Sequence, residues 1–104
     1  MTSDLGLDCE LRGTTAEVAL NGDLDMAAAF KLESAIERMV SQHDVDALVF
    51  DLGGVGFIDS AGLGSLLSTH ERLNDLGIKF EITKPSEAVQ RVLDASGTRD
   101  VLIG

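Results

Sequence analysis

Between residues 5 and 11 apolar and polar positions alternate, with Leu5, Leu7, Cys9 and Leu11 in one phase. A period of two is the mark of a half-buried strand, so Cys9 is expected to point inward as a small hydrophobe. Arg12-Gly13-Thr14 reads as a turn, and Ala16, Val18 and Leu20 then restore the alternation, which predicts a second strand and a hairpin. Asn21-Gly22-Asp23-Leu24-Asp25 breaks the pattern. Asp25 suits the cap of a following helix, on which Ala29, Phe30, Leu32, Ile36, Met39 and Val40 form an apolar stripe at helical spacing.

Further along, "DALVFDL" at 46–52 is a nearly continuous apolar run, which predicts a strand covered on both faces. "GGVGF" at 53–57 reads as a flexible connection. From Ser60 the period becomes helical, with Leu63, Leu66, Leu67, Leu73 and Leu76 inward and Gly77 at the position of a C-terminal stop. Ile78, Phe80 and Ile82 alternate as another strand. Lys84-Pro85-Ser86 opens a short helix that carries Val89, Val92 and Leu93 and ends at Gly97, while Val101-Leu102-Ile103 fits strand or helix equally. The order strand, strand, helix, strand, helix, strand, helix predicts an α/β fold. Its mixed sheet has four or five strands, opens with a hairpin and carries helices packed on it, and residues 1–104 form one domain.

Charge narrows the chemistry. Eight Lys and Arg stand against 18 Asp and Glu, a formal net charge of −10. A nucleic-acid binder needs a cationic footprint, and an anionic membrane surface attracts the same sign, so both partners are disfavoured. The single cysteine excludes an internal disulfide, and no Cys/His cluster has metal-ligand spacing. The first ten residues lack a cationic stretch followed by an apolar one, and no apolar run approaches the ~20 residues of a membrane span. A cytoplasmic location is expected, with no cofactor.

The chemistry concentrates in "VGFIDSAGLGSLL", residues 55–67, where Ser60 lies between Asp59 and the small Ala61 and Gly62. A hydrolase elbow needs G-x-S-x-G, but Ile58 holds the first position and neither His43 nor His70 is placed as a base. No phosphate-binding loop can be threaded through the glycines, and no lysine follows. A receiver-like phosphoaspartate site is a further reading, with Asp51 as acceptor, Asp23 and Asp25 as the acidic pair and Lys84 beside Pro85. The opening hairpin speaks against it. The plainest reading makes Asp59 or Ser60 a helix cap, yet it leaves the small residues around the serine unexplained. They leave its hydroxyl open to a bulky enzyme.

"FIDSAGLGSLL" resembles the D-S-[ST]-G-L-x-x-[LI] signature of anti-sigma factor antagonists, the bacterial members of the STAS domain family. "LNGDLD", "LVFDLGGVGFIDSAGLG" and "KFEITKPSEAVQRVLDASG" extend the likeness over nearly the whole chain, with Ala61 in place of the usual second Ser or Thr. The resemblance implies a non-enzymatic partner switch. The unmodified antagonist binds an anti-sigma factor, itself a serine kinase of the histidine-kinase-like ATPase fold, and frees the sigma factor. Phosphorylation of Ser60 ends the binding, and a PP2C-type phosphatase restores it. Asp23, Asp25, Asp59, Ser60, Ala61, Gly62 and Leu63 are the partner-binding residues it implies. A STAS domain that binds a ligand or a non-sigma partner without phosphorylation is the remaining alternative.

Overall fold

The computed structural model describes residues 6–103; Leu5 of the predicted first strand lies outside them. Its elements are β1 (Gly6–Arg12), β2 (Thr15–Leu24), α1 (Met26–Gln42), β3 (Ala47–Ile58), α2 (Ser60–Asp75), β4 (Lys79–Thr83), α3 (Glu87–Ser96) and α4 (Arg99–Leu102). The four strands form one sheet in the order β1-β2-β3-β4, with β1 antiparallel to β2 and the other two pairings parallel. Arg12 pairs with Thr15 across a two-residue turn, whereas α1 and α2 make the long crossovers that parallel neighbours require.

The core lies on one face of this sheet. Ala16, Val18 and Leu20 of β2, Leu48, Phe50 and Leu52 of β3 and Ile82 of β4 meet Ala28, Leu32 and Ile36 of α1, Leu66 and Leu73 of α2, Val89 and Leu93 of α3, and Leu102 of α4. Residues of the other phase, Glu17, Val49, Asp51 and Thr83, line a shallow trough on the opposite face. The apolar run of β3 is therefore covered on one side only. Val49 and Asp51 are half-buried, while their neighbours Leu48, Phe50 and Leu52 are buried.

Several expectations need correction. Cys9 does sit in the phase of Val18, its β2 partner, but β1 is an edge strand that α1 overlaps only in part. Cys9 is exposed, across an open cleft from Ala35, Met39 and His43. Partial loss of water around the sulfur, and secondarily the Asp8 carboxylate, hold its thiol above the usual pKa. Residues 53–57 are strand rather than flexible connection, and β2 continues through the pattern break to Leu24. In both places parallel pairing of β2 with β3 supplies the backbone bonds that sequence alternation failed to signal. Phe30 is 67% exposed and Leu76, the C-cap of α2, 45% exposed, so neither belongs to the inward stripe assigned to it. Of the undecided residues 101–103, Val101 and Leu102 belong to the short α4 that opens at Arg99, and Ile103 is its C-cap. His70 is half-buried and edge-on to Phe80, with ring centroids 5.2 Å apart.

Two outcomes test this packing. Phe50→Ala, at a fully buried position, is expected to cost about 3–5 kcal/mol in urea denaturation, against about 0.5 kcal/mol or less for Leu76→Ala. Native Cys9 is expected to react with a thiol reagent without denaturant. Because the thiolate is the nucleophile and its pKa is raised, alkylation should be slower than for a free thiol at pH 7 and should climb as pH passes 9. A thiol that reacts only after unfolding refutes the exposed edge.

Candidate functional site

Parallel pairing of β2 with β3 brings the two loops of interest to one end of the sheet. Asp23 pairs with Phe57 and Leu24 with Ile58, after register shifts at Asn21 and Asp23. Gly22 sits at the second shift with φ +111°, a conformation that only glycine adopts without strain, so the bulge re-aims Asp23 as the strand ends.

The two helices that follow start in the same way. Asp25 caps α1 by accepting from the Ala28 amide at 3.0 Å, and Asp59 caps α2 by accepting from the Gly62 amide at 2.8 Å. Each carboxylate sits at the positive end of its helix. The Leu24 carbonyl, one residue before the first cap, accepts from the Asp59 amide at 3.4 Å. The same oxygen lies so close to Gly62 that any Cβ there would collide with it. Ser65 donates its hydroxyl to the Gly62 carbonyl at 2.8 Å and closes the first turn from inside.

On this shelf Ser60 is the first residue of α2 and is exposed, and its hydroxyl makes no hydrogen bond to any described residue. Asp23, Asp25, Asp59 and Ala61 around it are half-buried. Gly62 is buried and acts through the absence of a side chain, and Leu63 is half-buried against the core. The arrangement presents one free hydroxyl among three carboxylates at the start of a helix. Neither histidine belongs to it: His70 lies on α2 edge-on to Phe80, and His43 follows the far end of α1.

The receiver-like grouping is not assembled. Asp51 pairs with Ala19 and Thr83, well before the ends of β2 and β3, and its carboxylate accepts from the Gly53 amide at 3.0 Å. Asp23 lies several residues further along β2 and Asp25 beyond its end at the cap of α1, and no group of three potential metal ligands occurs among the described residues. Sequence reasoning also missed the exposed apolar residues at this end: Met26 in the first turn of α1, Phe30 one turn later and Phe57 beside Asp23. Met26 and Phe57 stand outside the predicted apolar stripes, while Phe30 is placed within one. The Leu24 carbonyl had no signal, because a backbone atom is invisible to residue patterns.

Comparison with known proteins gives a consistent result. The model of the STAS domain family matches residues 7–103. The chain is 32% identical over 88 residues to an anti-sigma-B factor antagonist of Staphylococcus epidermidis, covering 83% of this chain and 79% of that one. The structure of an anti-sigma factor antagonist from Mycobacterium paratuberculosis superposes with a TM-score of 0.82 at 29% identity, covering 95% of this chain and 83% of that one. The anti-sigma factor antagonist SpoIIAA shares the fold in its unphosphorylated form, with a TM-score of 0.80 at 23% identity over 94% of this chain and 86% of that one. Its phosphorylated form superposes with a TM-score of 0.74 at 22% identity over 94% and 89%.

The close approach at Gly62 is directly testable. Gly62→Ala is expected to destabilise by about 2 kcal/mol or more, because the backbone of Leu24 or of α2 must move. Gly64→Ala, two residues on in the same helix with open space at its Cβ, is expected to stabilise by about 0.5–1 kcal/mol. Equal effects in thermal or urea melts would show that the two backbones are not in contact.

Proposed function

The chain belongs to the STAS domain family, and from that premise we propose that residues 1–104 act as one anti-sigma factor antagonist, switched by phosphorylation of Ser60. The observation that carries the reading is the exposed, unbonded Ser60 hydroxyl at the first position of α2. The unmodified protein binds an anti-sigma factor that is also a serine kinase and so frees the sigma factor. No helix among the described residues is long and apolar enough to cross a membrane, and the switch operates in the cytoplasm.

In the modification step the kinase supplies ATP and the base. The Ser60 hydroxyl loses its proton to the kinase, its oxygen forms a bond to the γ-phosphorus, and the bond to the bridging oxygen breaks to release ADP. The product carries roughly −1.5 to −2 charges and three acceptor oxygens. The chain can hold it without refolding. The amides of Ser60 and Ala61 stand in the first turn, where no intrahelical acceptor exists, and the helix dipole favours an anion there.

At the partner's surface the same charge acts in the opposite direction. Asp23, Asp25 and Asp59 already make this end of the sheet negative, so a docking partner must bring compensating donors of limited number. A dianion placed among them has to be desolvated beside carboxylates, and a loss of about 2–4 kcal/mol weakens binding roughly 30- to 900-fold. A PP2C-type phosphatase resets the cycle by hydrolysing the ester.

Ser60→Ala is expected to bind the unmodified protein's anti-sigma factor with unchanged Kd and to take up no phosphate from the kinase and ATP. Ser60→Asp, with one charge rather than two, is expected to bind about tenfold more weakly. Calorimetry and intact-mass measurement read both. Equal affinity for wild type, phosphorylated protein and Ser60→Asp overturns the switch, as does phosphate found on another residue.

A further inference from the structure

Helices α1 and α2 run side by side from their caps. Arg72 of α2 bonds Glu37 of α1 through both Nε and Nη2, at 3.2 and 2.9 Å. Glu37 is twelve residues past the Asp25 cap and Arg72 thirteen past the Asp59 cap, so the two helices stay in register along their length. Met26, Phe30, Glu33 and Glu37 recur at helical spacing on the flank of α1 that faces this groove; Ala61, Ser65, Ser68 and Arg72 do so on α2. By that register Met26 stands level with Ala61 in the Ser60 turn and Phe30 level with Ser65, next to Gly64.

The groove has two halves. Its upper half, next to Ser60, is apolar on the α1 side: Met26 and Phe30 are 63% and 67% exposed, level by that register with the Ala61–Ser65 turn, where Gly64 leaves open space. Its lower half is a cleft of about 230 Å³ lined by Glu33, Ile36, Glu37, Ser68, Thr69 and Arg72. Thr69 is only 4% exposed and its hydroxyl has no hydrogen-bond partner among the described residues, yet no sealed polar atom is left unsatisfied. The hydroxyl therefore opens into the cleft. The cleft is smaller than the ~300–1,000 Å³ of small-molecule pockets and matches one long side chain. Glu37 is neutralised by Arg72, while Glu33 faces the cleft with no ion-pair partner among the described residues.

We infer that this groove is a second docking element for the anti-sigma factor, an inference that rests on the function proposed above. A segment of the partner lays an apolar side chain between Met26 and Phe30, over Gly64, and drops a lysine or arginine into the cleft onto the Glu33 carboxylate and the Thr69 hydroxyl. The cation is required by the cleft's net negative charge and agrees with the chain's overall −10, which steers basic surfaces toward it. An exposed aromatic beside a hydroxyl that opens into a cleft is the pattern of an anchor next to a polar specificity contact. Continuity with Ser60 makes the groove sense the same partner that the phosphate expels.

The test uses the full chain and the purified anti-sigma factor of the same organism, with a non-hydrolysable ATP analogue so that Ser60 stays unmodified. Phe30→Ala is expected to raise Kd about fivefold or more and Glu33→Lys about tenfold or more. Each should keep a folded-state circular dichroism spectrum like that of the wild type, since Phe30 is exposed and Glu33, half-buried at the cleft wall, is outside the core. Leu11→Ala, on the exposed β1 edge, should change Kd less than twofold. Wild-type binding with all three variants within twofold overturns the groove and leaves the Ser60 switch standing. Absence of binding by the wild type overturns both.

Discussion

A single carbonyl, that of Leu24, holds the functional end of the molecule together. It ends β2, accepts the Asp59 amide that begins the α2 turn, and lies against the Cα of Gly62. Through it the caps of both helices are positioned by the same strand end, and Asp25 and Asp59 become equivalent features of neighbouring helices. Position 62 accordingly admits no side chain. The first turn of α2, with exposed Ser60, is thereby tied to a paired strand end rather than left on a free loop.

That rigidity suits a switch made of charge. A modification that had to move helices would work against a core in which Phe50, Leu66, Leu73 and Leu93 are fully buried. A phosphate at the first helical residue finds free amides and a favourable dipole, so its cost falls on the complex and not on the fold. The acidity of the chain has a local meaning here. In the proposed switch, three carboxylates at the same end set the baseline to which a phosphate on Ser60 would add further negative charge.

The α1–α2 groove continues the same register away from the serine. Because the helices begin together, they remain aligned to the Glu37–Arg72 pair at the far end. An exposed ion pair of this kind adds little stability by itself. Its effect is to close the lower end of a groove whose upper end is Ser60, so that one partner segment can touch apolar, hydroxyl and carboxylate groups within a few helical turns.

Period, capping residues and the turn signal at residues 12–14 were enough to determine the order of the strands and long helices, the start of each long helix, and the serine flanked by small residues at the head of α2. These are local properties: an Asp before an apolar helical stripe caps it wherever the helix goes. What surrounds each element was decided only in the folded molecule. Cys9 lies in the right phase but on an edge strand beyond α1, and Phe30 is one helical position past the covered face. The glycine-rich stretch after Leu52 is strand because β2 lies alongside it. Coverage, strand continuation and the meeting of Leu24 with Gly62 depend on neighbours far away in the chain. A hydrophobic pattern can say that a residue prefers burial, but only the packing of other elements supplies the atoms that bury it.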